Sequence, residues 1–390
     1  MTPASDILVV GGGVIGTCLA FHLARRRAGR VVLLERAFPG AGASGKSPAI
    51  IRARESTESL SAMCRAGLNF YEHFGETVGG PPVFSRTGLV LVAPSSARDE
   101  LDSAASSGAG QGSGARLIGA HELAEIDADL RLSEDEVAAI EPAAGYLDSV
   151  QAVTSFADAA RHHGVDVRQG VEVRALSVEK GRIAGVETNE GLLHCGELIL
   201  ATGARTPALL RPHKVHIPIE ARTSPAALFR RPPDAGRRTM VLADFVQGMY
   251  FRPTQGDLLH IGDIGAEGEV TDPDDYDESA PGEWLRSVRQ RLSRRYPALH
   301  RAYGRGGFAA VHAHTPDGYP IVDRVASVEG IRVATGFGRN AFQLAPAVAE
   351  ALTEWIVSGE SKAFDLAPLR LARFDAEEPL KATWKFGSLE

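Results

Sequence analysis

Cysteine is scarce in this chain: three among 390 residues, at Cys18, Cys64 and Cys195. They are far apart and form no Cys-x-x-Cys motif, which points to a reducing compartment rather than a disulfide scaffold. Cys18 and Cys195 are expected to pack as small apolar groups. An excess of positive charge is also missing. With 42 Lys and Arg against 49 Asp and Glu, the net charge of −7 argues against a nucleic-acid binder. The run Arg25-Arg26-Arg27 suits the solvated end of a helix, where cations complement the dipole. No uninterrupted apolar stretch is long enough to span a bilayer. Residues Met1 to Asp6 lack the apolar core of a secretory leader, so a cytoplasmic location is expected. No internal repeat is visible. What remains is the composition of a soluble globule, 44% hydrophobic and 23% charged, too long for one simple core.

The strongest positive signal lies at the start. Ile7-Leu8-Val9-Val10 reads as a buried strand and runs into Gly11-Gly12-Gly13-Val14-Ile15-Gly16, a Gly-x-Gly-x-x-Gly turn. A second apolar strand, Val31 to Leu34, is closed by Glu35. Gly11 permits the tight turn, Gly13 lets a pyrophosphate approach the backbone, and Gly16 lets the helix pack on the strand. The helix start offers N–H groups and a positive dipole end to that anion. Glu35 stands where a carboxylate can accept from both hydroxyls of an unphosphorylated ribose, which favours a dinucleotide without the 2′-phosphate.

Further along, residues 39–47 read as a Gly- and Ser-containing loop before Ile50-Ile51-Arg52, and 60–74 as a helix ending at Gly75. A strand is predicted at 88–92 and a flexible Ser/Gly/Ala surface loop at 103–114. Residues 153–163 read as a helix, 165–173 as a strand, and 179–182 as a hairpin turn into a strand at 183–188. A buried strand at 197–201 ends at Thr202-Gly203, and 215–262 gives short strands of an antiparallel sheet. An acidic loop at 272–283 precedes a helix at 284–295. A strand at 331–335, the turn Gly336-Phe337-Gly338 and a helix at 344–358 complete the chain. The interleaving predicts an α/β protein of two discontinuous units. A Rossmann-like unit takes 1–85, 145–210 and 325–390; an α+β unit with an antiparallel sheet takes 86–144 and 211–324.

With these pieces in place, the chain resembles the D-amino-acid oxidase, glycine oxidase and sarcosine oxidase (DAO) family of FAD-dependent amine oxidoreductases. The resemblance runs through Gly11 to Gly16 with Glu35, Gly42-Ala43-Ser44-Gly45-Lys46-Ser47-Pro48-Ala49-Ile50-Ile51-Arg52, Leu200-Ala201-Thr202-Gly203-Ala204 and Tyr250-Phe251-Arg252-Pro253. It continues in Thr315-Pro316-Asp317-Gly318-Tyr319-Pro320 and in Gly336-Phe337-Gly338 through Pro346. It implies FAD contacts at Gly11, Gly13, Val14, Ile15, Gly16, Glu35, Arg36, Ala43, Ser44, Lys46, Ser47, Val173, Thr202, Gly203, Gly338, Arg339, Asn340, Phe342, Gln343 and Leu344. Ala310 stands near the position of the flavin-linking cysteine in covalently flavinylated relatives, which implies non-covalent FAD.

The implied reaction is oxidation of the C–N bond of an amino acid or secondary amine by hydride transfer to FAD, with hydrolysis of the resulting imine. Arg52 matches the arginine that pairs with the substrate carboxylate, a task suited to a planar fork of donors. His260 falls where relatives carry a lysine that promotes reaction with oxygen, a role that requires a protonated ring. His312 replaces a carboxylate-binding arginine, and Gln343 replaces a lysine. Tyr250 and Arg252 either line the pocket or, for Arg252, hold the sheet. His312 and His314 share a strand face, but with no third ligand a metal is not expected. The acceptor of the electrons is oxygen or a partner, and a homo-oligomer or a partner subunit is compatible with the pattern.

Three alternatives stand beside this reading. The same scaffold could oxidise 2-hydroxy acids, or serve as a dehydrogenase subunit. Gly40-Ala41-Gly42-Ala43-Ser44-Gly45-Lys46-Ser47 also fits a P-loop, with Met240 to Asp244 as a Walker B strand, which would make the chain an ATPase.

Overall fold

The computed structural model describes residues 5–109, 114–236, 240–265 and 268–382. Its first sheet has eight strands. Ser5–Val10 lies between Val31–Glu35 and Gly191–Leu200, parallel to both, with Asp166–Gln169 beyond Val31–Glu35. Ile331–Thr335 joins the far side of Gly191–Leu200 in parallel. Strands covered on both faces read as continuous apolar runs, and Leu8, Val9, Leu33, Leu34, Ile199 and Leu200 are all buried. Helices Val14–Arg25, Ser149–His162, Glu58–Glu72 and Ala341–Ser358 pack on one face around Phe21, Phe156, Tyr71 and Leu344.

The strand expected across 165–173 breaks at Gly170, whose φ of 74° turns the chain. Asp166–Gln169 stays in the parallel sheet, while Val173–Glu179 opens an antiparallel meander with Arg182–Thr188 and Gly191–Leu200. Val173 therefore starts that meander, opposite Thr188. Lys180 and Gly181 both take positive φ, the demand of a two-residue hairpin of the I′ class.

The second sheet has nine strands. Its centre is Glu220–Arg230, Leu258–Asp263, Met249–Thr254 and Val241–Asp244, antiparallel in sequence, and Val241–Asp244 pairs in parallel with Leu89–Pro94. Tyr303–His314 adds to the other side of Glu220–Arg230. Helix Gly282–Arg295 packs beneath, with Val288 and Leu292 in the core. A small third sheet of Ile50–Ile51, Gly145–Leu147 and Phe84–Arg86 lies where the chain passes between the two.

Several sequence expectations need correction. The loop expected at 103–114 begins as part of helix Arg98–Ala109, and 110–113 lie outside the described residues. Asp99 and Glu100 in its first turn complement the dipole, and buried Leu101 anchors it; Ser and Gly content hid both signals. The loop at 39–47 contains a one-turn helix, Ala43–Lys46, and the last helix starts three residues early, at Ala341. Ile321–Arg324, expected with the second sheet, pairs with Ile331–Thr335 in the first.

Candidate functional site

The glycine turn has the geometry its sequence demands. Gly11 has φ of 110°, and a Cβ there would meet the Ala201 carbonyl oxygen at 2.4 Å. A Cβ on Gly16 would meet the Gly11 carbonyl oxygen at 1.9 Å. Helix Val14–Arg25 carries no acid in its first turn and no cap from its own N-cap residue, Gly13. Ser44 reaches across instead, its hydroxyl accepting from the Val14 N–H at 3.0 Å. Glu35 accepts from the Gly12 N–H at 2.7 Å and the Ala37 N–H at 2.9 Å, which fixes its carboxylate beside the turn. A helix start without an acid, a glycine cradle and a carboxylate at the second strand end together fit the diphosphate and ribose of a dinucleotide.

A cleft open to solvent lies next to this turn, between the two large sheets. Its lining comes from three places. Ala43, Ser44, Lys46, Ser47 and Pro48 supply one wall, and Gly338, Arg339, Ala341 and Phe342 a second. The sheet face supplies Ser224, Ala226, Tyr250, Phe308, Ala310 and His312. Gly338 has φ of 51° and donates to the Ala313 carbonyl at 3.0 Å, tying this turn to the second sheet. Arg339 is oriented by bonds to the Asp263 carbonyl and to Ser224 Oγ. Tyr250 lies opposite Gly262, and a Cβ there would meet the phenol oxygen at 2.3 Å, so this glycine makes room for the ring. Burial pushes the Tyr250 hydroxyl up to about 12, and it stays protonated at neutral pH.

Not every expected residue reaches the cleft. Arg52, expected as the carboxylate clamp, is buried and pairs with Glu141, its Nε 3.3 Å from Oε2. It lines a separate cavity with Arg54, Leu89 and Leu101. His260 is buried, its ring 6.2 Å from Tyr250 and 5.8 Å from Phe308. Burial first, then the charge of Arg252, pushes its imidazole down to about 3. The ring is neutral at physiological pH, so the cationic role expected of it has no charge to work with. Gln343 turns away from the cleft, its amide donating to Glu55 at 3.0 Å and Asn340 at 2.9 Å. Leu344 is wholly buried in the helix core, whereas His312 does line the cleft. His312 and His314 stand 6.2 Å apart between ring centres. Among the described residues no three His, Cys, Asp or Glu side chains gather in a metal-binding group.

Thr202 bonds Thr206 through its hydroxyl, and Thr335 donates to the Gly203 carbonyl, which locks the strand end beside the glycine turn.

The acidic loop turned out to be part of the site, which sequence reasoning missed. Asp274 pairs with Arg36, next to Glu35, at 2.7 Å and also with Arg205, next to the Thr202–Gly203 turn. Glu278 pairs with Lys46 at 3.1 Å, and the Tyr276 hydroxyl accepts from the same ammonium at 3.0 Å. Residues 274–278 thus form a strap over three basic residues of the first unit. The only signal in the sequence was charge complementarity between remote segments.

The P-loop alternative does not fit this arrangement. Lys46 is held by Tyr276 and Glu278, and Asp244 is buried in the second sheet against Arg295.

A sheet of parallel strands with a glycine turn, facing a second sheet across a cleft, defines a dinucleotide-binding protein. The FAD dependent oxidoreductase (DAO) family matches residues 6–355, and the chain belongs to that family. It is 27% identical to the 4-methylaminobutanoate oxidase (formaldehyde-forming) of Paenarthrobacter nicotinovorans, over 97% of this chain and 47% of that protein. The chain thus spans about half the length of that relative. It is 26% identical to the glycine oxidase of Pseudomonas putida, over 94% of this chain and 98% of that one. Among solved structures, L-proline dehydrogenase from P. horikoshii superposes with a TM-score of 0.88 at 27% identity, covering 97% of this chain and 100% of that one. Among the described residues no helix is long and apolar enough to cross a membrane.

Proposed function

We propose that this FAD-dependent oxidoreductase oxidises the C–N bond of an amino acid or an N-alkyl amino acid. The observation that carries this reading is the cleft itself, which joins the Ala43–Pro48 loop and the Gly338–Phe342 turn to the face of the second sheet. The eight-stranded sheet is then the cofactor side and the nine-stranded sheet the substrate side. Glu35 would hold the ribose, the start of helix Val14–Arg25 the diphosphate, and the two cleft loops the flavin ring. Bound FAD supplies a two-electron acceptor for the hydride beside the nitrogen.

The chain's own task is to bind and orient the amine and to exclude water. Tyr250 and Phe308 supply the wall, and the protonated Tyr250 hydroxyl can hydrogen-bond substrate but is no base at neutral pH. Ala310 lines the cleft without an atom able to bond the flavin, which supports non-covalent retention. The relatives' names support the substrate class, since they include a glycine oxidase and a methylaminobutanoate oxidase.

Anaerobic bleaching of the bound flavin tests this. Amino acids or N-methyl amino acids should reduce it within a panel that also holds simple amines and 2-hydroxy acids. Bleaching by hydroxy acids alone reassigns the reaction to a 2-hydroxy-acid oxidoreductase, and a flavin untouched by every amine overturns the proposal.

Retention of FAD has its own test in the strap. Asp274→Asn removes the ion pairs to Arg36 and Arg205, each partly exposed and worth up to about 1 kcal/mol. We expect FAD release on dilution, followed by flavin fluorescence, to quicken roughly three- to tenfold. The difference between variant and wild type should shrink as salt is added.

A further inference from the structure

Glu55 is a buried carboxylate that the proposed oxidation does not use, and hydrogen bonds converge on it from two sides. Its Oε1 accepts from the Ser56 N–H at 2.8 Å and from the Ser56 hydroxyl at 2.9 Å. Its Oε2 accepts from Gln343 Nε2 at 3.0 Å. That same amide nitrogen also donates to Asn340 Oδ1, at 2.9 Å. A carboxylate offers only lone pairs, so it dictates which end of the Gln343 amide faces it. Turned over, Gln343 would set oxygen against oxygen. Ser61 fixes the main chain of Glu55, accepting from its N–H at 3.0 Å and donating to its carbonyl at 2.9 Å. The carboxylate is thus anchored just before helix Glu58–Glu72.

The other end of this chain of bonds lies at the cleft. Asn340 occupies the N-cap position of helix Ala341–Ser358, where an asparagine oxygen ordinarily accepts from a first-turn N–H. Here its side chain caps none, because Gln343 claims the oxygen and Glu55 orients Gln343. Ala341 and Phe342, the first residues of the helix, line the cleft, as do Gly338 and Arg339 on the other side of Asn340. The first-turn N–H groups are therefore left for a ligand, at the positive end of the helix dipole. The same turn is braced from behind. The Tyr71 hydroxyl donates to the Phe342 carbonyl at 2.9 Å, and a Cβ on Gly67 would meet the Gln343 carbonyl oxygen at 2.1 Å. Leaving a helix start uncapped costs stability, and a residue able to cap it is diverted.

We propose that Glu55 is a positioning residue for the flavin. By holding Gln343 it keeps the Asn340 side chain off the start of helix Ala341–Ser358, so that the first-turn N–H groups stay available to the negative charge of the reduced ring. Glu55 acts through Gln343 and Asn340, and its effect is on how strongly the reduced form is held relative to the oxidised one. This inference rests on the proposed seat of the flavin ring between the two cleft loops. It does not depend on which substrate reduces the ring.

The experiment measures the flavin midpoint potential and the melting temperature of FAD-loaded variants, with no amine present. Glu55→Asp keeps the charge but shortens the reach by one carbon, so it loses Gln343. Gln343→Met keeps the bulk and removes the amide. Each should hold reduced FAD roughly tenfold more weakly relative to oxidised FAD, a midpoint potential about 30 mV below wild type. The double variant should fall no further than either single one, since both release the same side chain. Gln343→Met/Asn340→Gly, which deletes the released side chain, should return towards the wild-type potential. Should Glu55→Asp not fold, Glu55→Gln replaces it, and Asn340→Gly should relieve the shift it causes. Wild-type potentials in the single variants overturn the proposal. Additive shifts in the double variant, or a shift that Asn340→Gly leaves in place, overturn it too. A lower melting temperature with an unchanged potential would make the network a structural brace, which is a further refutation. Ala341→Asp reads the seat of the ring separately, because it puts a carboxylate into the cleft and should strip FAD from the protein. FAD held normally by Ala341→Asp would move the ring elsewhere and overturn both readings. Loss of FAD there, with wild-type potentials in Glu55→Asp and Gln343→Met, overturns this inference alone.

Discussion

Gly16→Ala is expected to yield protein that does not hold FAD. The added methyl would stand 1.9 Å from the Gly11 carbonyl oxygen, a backbone atom inside the tight turn. Nothing flexible can give way, because Gly11 itself is pressed against the Ala201 carbonyl, where its own Cβ would sit at 2.4 Å. The helix Val14–Arg25 must therefore move off the strand ends, and its first-turn N–H groups leave the position that suits a diphosphate. Overpacking of this kind costs about 1–3 kcal/mol, or roughly five- to 150-fold, and the lost diphosphate contacts add to it, so FAD affinity should drop on the order of a hundredfold. Flavin absorbance per mole of purified protein reads the effect directly. Gly119→Ala is the control, since a Cβ there meets nothing within 4 Å and the backbone has no positive φ. It should bind FAD as wild type does. A yellow, fully loaded Gly16→Ala protein would mean that the turn is not where the diphosphate binds.

That turn was legible in the sequence because its requirements are local. A close helix–strand approach needs glycine at fixed offsets, and the carboxylate of Glu35 ends a strand that is apolar throughout. Most strands of the two large sheets were legible too, since each carries its own pattern of burial, but the break at Gly170 and the pairing of Ile321–Arg324 with Ile331–Thr335 were not. What stayed hidden depends on partners remote in the chain. Arg52 and Glu141 are 89 residues apart, and Lys46 and Tyr276 are 230 apart. Nothing near Arg52 says that an acid will claim it. Its neighbourhood on the cofactor-side loop suggested the opposite. The surroundings of His260 were hidden for a related reason: its charge state is set by burial between Tyr250 and Phe308 and by Arg252 across the strand pair, none of which spacing reveals.

The same contrast between local signals and remote partners governs stability. Arg295, near the end of helix Gly282–Arg295, reaches two carboxylates at once: Glu136 from one strand and Asp244 from another. All three side chains are within 5% of full burial. Trp284 and Arg291 of the same helix hold Asp263, so the helix is fastened to the sheet by acids at several points along its length. Removing one member of such a group leaves charges in a place water cannot reach, a loss of about 3–5 kcal/mol for a buried pair. Arg295→Met should thus lower the melting temperature on the order of 10 °C at neutral pH. The pH dependence follows from Glu136. Burial would raise its carboxyl, but the bonds from Arg295 and the Ser133 N–H, with the guanidinium charge, bring it below the ordinary value. A carboxylate lowered in the folded state adds stability above its unfolded pKa and loses it as the pH falls through the folded one. The gap between wild type and Arg295→Met should therefore be widest near neutrality and close as the pH drops through the carboxylate range. Thermal melts of the two proteins across that range measure it. A gap that stays constant with pH would show that the arginine contributes through packing of its stem rather than through its charge.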